Sequence, residues 1–255
     1  MNDLHCHILP GVDDGPQSLE ESLSMARMAV QEGIETIVAT PHHLHSAYKN
    51  PKGSIVKKVD QFNKALKNEG IPLEVLPGQE IRMTGEVMDS LKRDELLSMN
   101  HTSDHVYIEF PDHEVPTYAS RVLQDMQQAG LKPIISHPET NRIFLQKPDL
   151  LYQIVKNGAI TQVTAASIVG KNGKSAKKFA FQMIEANLTH IIASNAHHPK
   201  KRGFHMADAY EKIEKKFGSS VVYQFMENAH VVLDGEMVYT DRPSPMKTKK
   251  VLGIF

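Results

Sequence analysis

The sequence lacks the features of secreted, disulfide-stabilised and membrane-spanning proteins. It has one cysteine in 255 residues, which excludes an internal disulfide framework and is compatible with a reducing cytoplasm. No apolar run approaches the roughly 20 residues that span a bilayer. Asp3 and His5 stand where a secretory signal needs a basic stretch and an apolar core. We therefore expect a cytoplasmic protein without membrane insertion.

Charge excess and nucleotide-binding fingerprints are also missing. The formal net charge is -1, so no overall field attracts nucleic acid or anionic lipid, and we expect no nucleic-acid partner. No G-x-G-x-x-G or G-x-x-x-x-G-K-[ST] motif follows a predicted strand, which argues against dinucleotide and P-loop nucleotide binding. What the chain does have is 14 histidines.

Short apolar strands alternate with helical segments about seven times along the chain. This order predicts an α/β fold in which a parallel sheet is covered by helices. At this length a closed barrel related to the (β/α)₈ barrel is favoured over an open doubly wound sheet. No linker divides the chain, so we predict one domain over residues 1–255, with a short basic C-terminal tail from about 234 to 255.

Histidines and carboxylates fall at the predicted strand ends. On the first strand, His5 and His7 are two residues apart and share one face, and Asp14 follows a Pro-Gly turn. Alone, that pattern fits an incidental histidine pair as well as a metal site. However, the carboxyl ends of barrel strands meet at one face, and only the sixth strand, 161–164, ends without a ligand. We predict a polynuclear metal site formed by His5, His7, Asp14, His42, Glu80, Glu109, His137, Asn195 and His197.

Six motifs resemble those of the PHP (polymerase and histidinol phosphatase) superfamily: H-C-H-I-L-P-G-V-D-D-G, T-P-H-H, P-G-Q-E-I-R, Y-I-E-F-P, S-H-P-E and A-S-N-A-H. They are most similar to its bacterial manganese-dependent protein-tyrosine phosphatases from capsule and exopolysaccharide clusters, from Asn2 to about Asn228. The resemblance implies a distorted (β/α)₇, TIM-barrel-like fold holding three metal ions. It implies Mn²⁺ first, with Fe, Co, Mg or Zn as alternatives. The family's ligands carry over onto His5, His7, Asp14, His42, Glu80, Glu109, His137 and His197.

The chain departs from the family pattern at two positions. Asn195 replaces the aspartate of the S-D-x-H motif, and an amide oxygen brings no negative charge to a metal ion. Thr140 replaces the arginine that follows H-P-E and is thought to bind the phosphoryl group. Arg142 lies two residues further on, and Arg202 matches another family arginine, so we expect these two to bind phosphate.

The resemblance implies a protein-tyrosine phosphatase that uses a metal-activated hydroxide on a bacterial tyrosine kinase or its substrates. A cysteine-based mechanism is excluded, because it needs an arginine six residues after the cysteine and Val12 occupies that position after Cys6. Two alternatives stay open. One is a small-molecule phosphatase of the same superfamily, of the histidinol-phosphate type. The other is a catalytically impaired relative that binds phosphotyrosine or a kinase, for which Asn195 and Thr140 are the reason.

Overall fold

Strands and helices alternate in the computed structural model, which describes residues 1–246. The strands are β1 Asn2–Cys6, β2 Thr36–Ala39, β3 His42–His43, β4 Glu74–Pro77, β5 Glu80–Arg82, β6 His105–Glu109, β7 Lys132–Ser136, β8 Ile160–Thr164 and β9 Ile191–Ala193. The helices are α1 Leu19–Gln31, α2 Lys52–Asn68, α3 Val87–Lys92, α4 Ala119–Gln128, α5 Arg142–Gln146, α6 Pro148–Lys156, α7 Ala165–Val169, α8 Lys174–Glu185, α9 Met206–Phe217 and α10 Ser219–Leu233. No described helix is long and apolar enough to cross a membrane.

All strand pairings in these residues are parallel, which confirms the predicted α/β class. The strands form two sheets, in the orders β1-β2-β4 and β3-β5-β6-β7-β8-β9. Thr40 and Pro41 separate β2 from β3, and proline has no amide hydrogen for a sheet ladder. Beyond β9 the chain returns to β1: Asn195 N donates to His5 O at 2.8 Å, and His7 N donates to Ala196 O at 2.9 Å. The closed seven-stranded barrel stays a prediction.

An apolar layer lies among the strands, beneath the polar strand ends. Leu4, Val38, Tyr107, Ile134 and Ile191 are buried in one cluster, and α10 adds Ala229 and Val232 to it. Because side chains two residues apart on a strand share a face, Glu109 follows Tyr107 on the same side of β6. The His5 ring lies 4.8 Å from the Tyr107 ring, centroid to centroid. The polar residues at the strand ends therefore pack directly against this apolar cluster.

The predicted C-terminal tail divides into a described and an undescribed part. After α10, Tyr239 N donates to Asn228 Oδ1 at 2.9 Å, and Met246 is buried. The segment 234–246 is therefore attached to the body of the protein at Tyr239 and Met246, while most of its other side chains are exposed. The predicted basic character of the tail depends on the lysines at 247, 249 and 250. These residues lie outside the described part of the chain.

Candidate metal centre

The strand ends bring histidines and carboxylates into three overlapping groups. In each group, one possible ligand atom per residue lies within 4.8 Å of the others. Such spacing is suited to metal ions that share ligands. The groups are His7, Asp14, His42 and His197; His5, His7 and Glu80; and His42, Glu80 and Glu109.

Glu80, the first residue of β5, is at the centre of the cluster. Its Oε1 lies 3.3 Å from His5 Nε2 and 3.0 Å from His137 Nε2. Its Oε2 lies 3.3 Å from His7 Nε2 and 3.1 Å from His42 Nδ1. Burial disfavours the Glu80 carboxylate, but His5, His137 and His42 outweigh the effect of burial and hold the pKa of Glu80 well below the usual range. The site therefore stabilises a fully buried negative charge.

Asp14 forms the exposed edge of the cluster. Its Oδ1 lies 3.4 Å from His42 Nε2 and 3.3 Å from His197 Nε2, and its Oδ2 lies 3.4 Å from Arg202 Nη1. Burial lowers the pKa of His42, but the adjacent carboxylates of Asp14 and Glu80 raise it overall to about 11. The carboxylates thus favour positive charge at this point, as expected for a cation site.

Three histidines are oriented by hydrogen bonds at Nδ1, which leave Nε2 turned toward the cluster. His5 Nδ1 lies 2.9 Å from Gln162 Oε1, and His7 Nδ1 lies 2.7 Å from Asp13 Oδ2. His197 Nδ1 lies 2.9 Å from the carbonyl oxygen of Asn195. Metal-ligating histidines usually donate their other ring N–H in this way. Gln162, on β8, thus orients one of the predicted ligands without being a predicted ligand itself.

Several buried polar atoms of the cluster make no hydrogen bond within the described residues. Buried polar groups are nearly always paired, and an ion is one explanation for those that are not. This observation, together with the mixed nitrogen and oxygen donors, fits a metal centre. Four of these atoms, His42 Nδ1, Glu80 Oε2, Glu109 Oε2 and His197 Nε2, have an acidic or basic partner group within 3.3 Å but not in hydrogen-bond geometry. The fifth, Asn195 Oδ1, makes no hydrogen bond within residues 1–246.

A cavity of about 380 Å³ opens above the cluster. Thr140, Asn195 and Arg202 line it, and Thr140 donates its hydroxyl hydrogen to His137 O at 2.9 Å. Arg142 is exposed and is not a lining residue; its backbone N donates to Asp112 O at 2.9 Å. The structure therefore brings together the predicted metal ligands and Arg202 but leaves Arg142 apart.

Arg82 lines the cavity and was not anticipated. Its Nη1 lies 2.8 Å from Glu109 Oε2. Burial and the nearby Glu80 raise the pKa of Glu109, and the positive charges of His137, His42 and Arg82 partly oppose this shift. The pattern that could have revealed it is alternation, because Arg82 follows Glu80 by two residues on β5 and so shares its face.

The sequence profile of the family described as capsular polysaccharide synthesis, CpsB/CapC, matches residues 1–234. The chain belongs to the CpsB/CapC family. It is 46% identical to tyrosine-protein phosphatase YwqE of Bacillus subtilis, over 100% of both chains. It is 36% identical to putative tyrosine-protein phosphatase CapC of Staphylococcus aureus, again over 100% of both. The predicted relationship to capsule-cluster phosphatases is thus confirmed.

Two solved structures resemble this chain in fold, one of them from the same family. One comes from a study of YwqE from Bacillus subtilis and CpsB from Streptococcus pneumoniae, described as unique metal-dependent tyrosine phosphatases. It matches with a TM-score of 0.94 and 46% identity, over 97% of this chain and 100% of that one. The Listeria monocytogenes lactonase Lmo2620 matches with a TM-score of 0.59 and 12% identity, over 92% of each chain, which shows likeness of fold alone.

Proposed function

We propose that this protein is a metal-dependent tyrosine phosphatase that hydrolyses phosphotyrosine in proteins. The observation that carries the proposal is the buried Glu80 carboxylate, with four histidines within 3.3 Å. The tyrosine phosphatases that the chain resembles along its whole length support it. The substrate proposed is a bacterial tyrosine kinase or a protein that such a kinase modifies.

The proposed centre holds three ions, because three ligand groups overlap through shared residues. Mn²⁺ is proposed as the native metal. Imidazole and carboxylate together are suited to Mn²⁺ as well as to Fe²⁺ and Zn²⁺. Bound ions at such a site supply Lewis acidity, which activates water at neutral pH and offsets phosphoryl charge. The ligands proposed are His5, His7, Asp14, His42, Glu80, Glu109, His137, Asn195 and His197.

Around the centre, the chain's own side chains position the phosphoryl group. Arg202 is half exposed at the rim beside Asp14, where its guanidinium can reach phosphate oxygens as well. Arg82 offers further donors on the cavity wall, whereas the Thr140 hydroxyl hydrogen is donated to His137 O. Arg142 is retained only as a weaker candidate, since its side chain lies outside the cavity lining.

Aromatic rings beside the site favour an aryl phosphate. The His45 ring stacks on His42 at 5.2 Å and on Tyr48 at 5.4 Å, centroid to centroid, and His45 lines the cavity. The phenyl ring of phosphotyrosine can pack against such a surface. Tyrosine, with a pKa of about 10, is also a better leaving group than an alkyl alcohol.

Two structural predictions belong to this proposal. The first is a distorted (β/α)₇ barrel, supported by the two hydrogen bonds between β1 and the segment after β9. The second is a single domain over residues 1–255. A catalytically impaired relative is the second candidate function, and the observation that favours it is Asn195, whose Oδ1 makes no hydrogen bond within residues 1–246 and brings no charge to the site.

Hydrolysis by chelator-treated, metal-reloaded protein tests the proposal. We expect Mn²⁺-dependent release of phosphate from a phosphotyrosine peptide and from p-nitrophenyl phosphate, with little release from histidinol phosphate. Preference for histidinol phosphate would favour the small-molecule alternative. Phosphopeptide binding without hydrolysis with Mn²⁺, Fe²⁺, Co²⁺ or Zn²⁺ would favour the impaired one.

A further inference from the structure

A second, smaller pocket adjoins the metal cavity. It has a volume of about 170 Å³ and shares four lining residues with the cavity, so the two form one connected space. We call it the side pocket. The shared residues are Thr164, Asn172, Asn195 and Arg202.

Three lysines line the side pocket together with Arg202. Lys171, Lys200 and Lys201 are exposed, and the lining includes no acidic residue. Within residues 1–246, none of these lysines has a carboxylate within 4.0 Å, whereas Arg202 lies 3.4 Å from Asp14. The side pocket therefore concentrates positive charge that the described part of the chain does not neutralise.

Backbone hydrogen bonds hold the lysines in place. His198 N donates to Arg202 O at 3.2 Å, and His198 Nδ1 accepts from Lys200 N at 3.0 Å and Lys201 N at 3.2 Å. Opposite this tight turn, Lys171 N donates to Ala166 O at 2.8 Å, after the left-handed turn at Gly170. The cationic groups thus start from ordered backbone positions, which lowers the entropy cost of binding an anion.

We propose that the side pocket binds a carboxylate side chain of the peptide that carries the phosphotyrosine. The inference rests on the proposed function, because the phosphoryl group would occupy the adjoining cavity. Three ammonium groups suit an acidic side chain, while Ala166 is the only apolar residue of the lining and offers little to an apolar one. The protein would then select phosphotyrosine sites that have a nearby Asp or Glu.

Binding and turnover are measured separately to test this. Metal-loaded protein is titrated with fluorescent peptides in which phosphonomethyl-phenylalanine, which is not hydrolysed, replaces phosphotyrosine. The peptides differ by a single Glu or Gln, placed in turn at each flanking position. The charge-removal variant is Lys171→Gln/Lys200→Gln/Lys201→Gln. Its matched control, Lys57→Gln/Lys64→Gln/Lys67→Gln, removes three exposed lysines from α2, outside both pockets.

At one flanking position at least, we expect the Glu peptide to bind about fivefold to tenfold more tightly than the Gln peptide. The preference should weaken with added salt and with the charge-removal variant, but not with the control variant. Equal Kd values at every position, or a preference that the charge-removal variant retains, would overturn the inference. Hydrolysis of the matching phosphotyrosine peptides reports on the proposed function. If the preference for Glu depends on the lysines but no phosphotyrosine peptide is hydrolysed, the phosphatase proposal is refuted while the side pocket is still shown to bind a carboxylate.

Discussion

Asn195→Asp is the substitution that most sharply tests the role of the metal centre. Asn195 follows β9 with a left-handed backbone (φ 51°), and its buried Oδ1 makes no hydrogen bond within residues 1–246. Replacing the amide by a carboxylate adds one negative charge among proposed ligands that already include Asp14, Glu80 and Glu109. We expect at least one metal ion to bind more tightly to the variant.

The size of the effect is a balance of two large quantities. Attraction between a carboxylate and a cation about 4 Å away is about 4 kcal/mol per unit charge at an effective dielectric constant near 20. Burying one more carboxylate costs several kcal/mol and offsets much of that gain. We expect a net 1–3 kcal/mol, on the order of a tenfold to hundredfold decrease in the weakest metal Kd.

Competition titration against a Mn²⁺ chelator measures these dissociation constants, and elemental analysis gives the stoichiometry. Gln61→Glu is the matched control, since it makes the same amide-to-acid change at an exposed position of α2. Without metal, the added carboxylate should lower the free energy of unfolding, and saturating Mn²⁺ should restore it. Unchanged Kd values and stoichiometry would refute the assignment of Asn195 as a ligand.

Four further predictions follow from the site and the core. Glu80→Gln should lower the number of bound metal ions, measured by elemental analysis, because Glu80 contacts four histidines. Arg202→Ala should lower kcat/KM for phosphotyrosine peptides roughly 100-fold, because it removes a proposed phosphate-binding charge. Arg202→Lys, which keeps the charge, should lower kcat/KM less. Tyr48→Ala should raise KM for phosphotyrosine but not for acetyl phosphate, with Tyr48→Phe behaving as the wild type. Burial lowers the pKa of His190 to about 4. As the pH falls from about 6.5 toward 4, His190 is therefore protonated in the unfolded chain but still neutral in the folded protein, and the free energy of unfolding drops by at most about 3 kcal/mol. His190→Gln should reduce that slope in urea titrations across this range.

The strand-end residues could be predicted from the sequence because two regularities operate together. Parallel strands end at one edge, and side chains two residues apart share a face, which suffices to place His5, His7, Glu80 and Glu109. The break between β2 and β3 could not be predicted in the same way. It depends on where Thr40 and Pro41 interrupt the ladder, and short apolar runs do not reveal such an interruption.

Residues outside the strands were harder to place. Arg142 was chosen because it lies two residues after Thr140, but spacing has no fixed meaning in a turn. There, Asn141 caps α5 by accepting hydrogen bonds from Ile143 N and Phe144 N, and Arg142 lies exposed at the first position of that helix. Gln162 was missed for a different reason. An amide is not a usual metal ligand, and its role in orienting His5 appears only once folding brings β8 within hydrogen-bond distance of β1.

Anomalous diffraction at the manganese edge, from crystals soaked in Mn²⁺, tests the metal centre most directly. Three peaks are expected around Glu80: one beside His5 and His7, one beside His42 and Glu109, and one beside Asp14 and His197. Arg202, which lies beside Asp14 at the rim, should not be needed for an ion to bind at the third position. Peaks elsewhere on the protein, or none at this cluster at saturating Mn²⁺, would contradict the account.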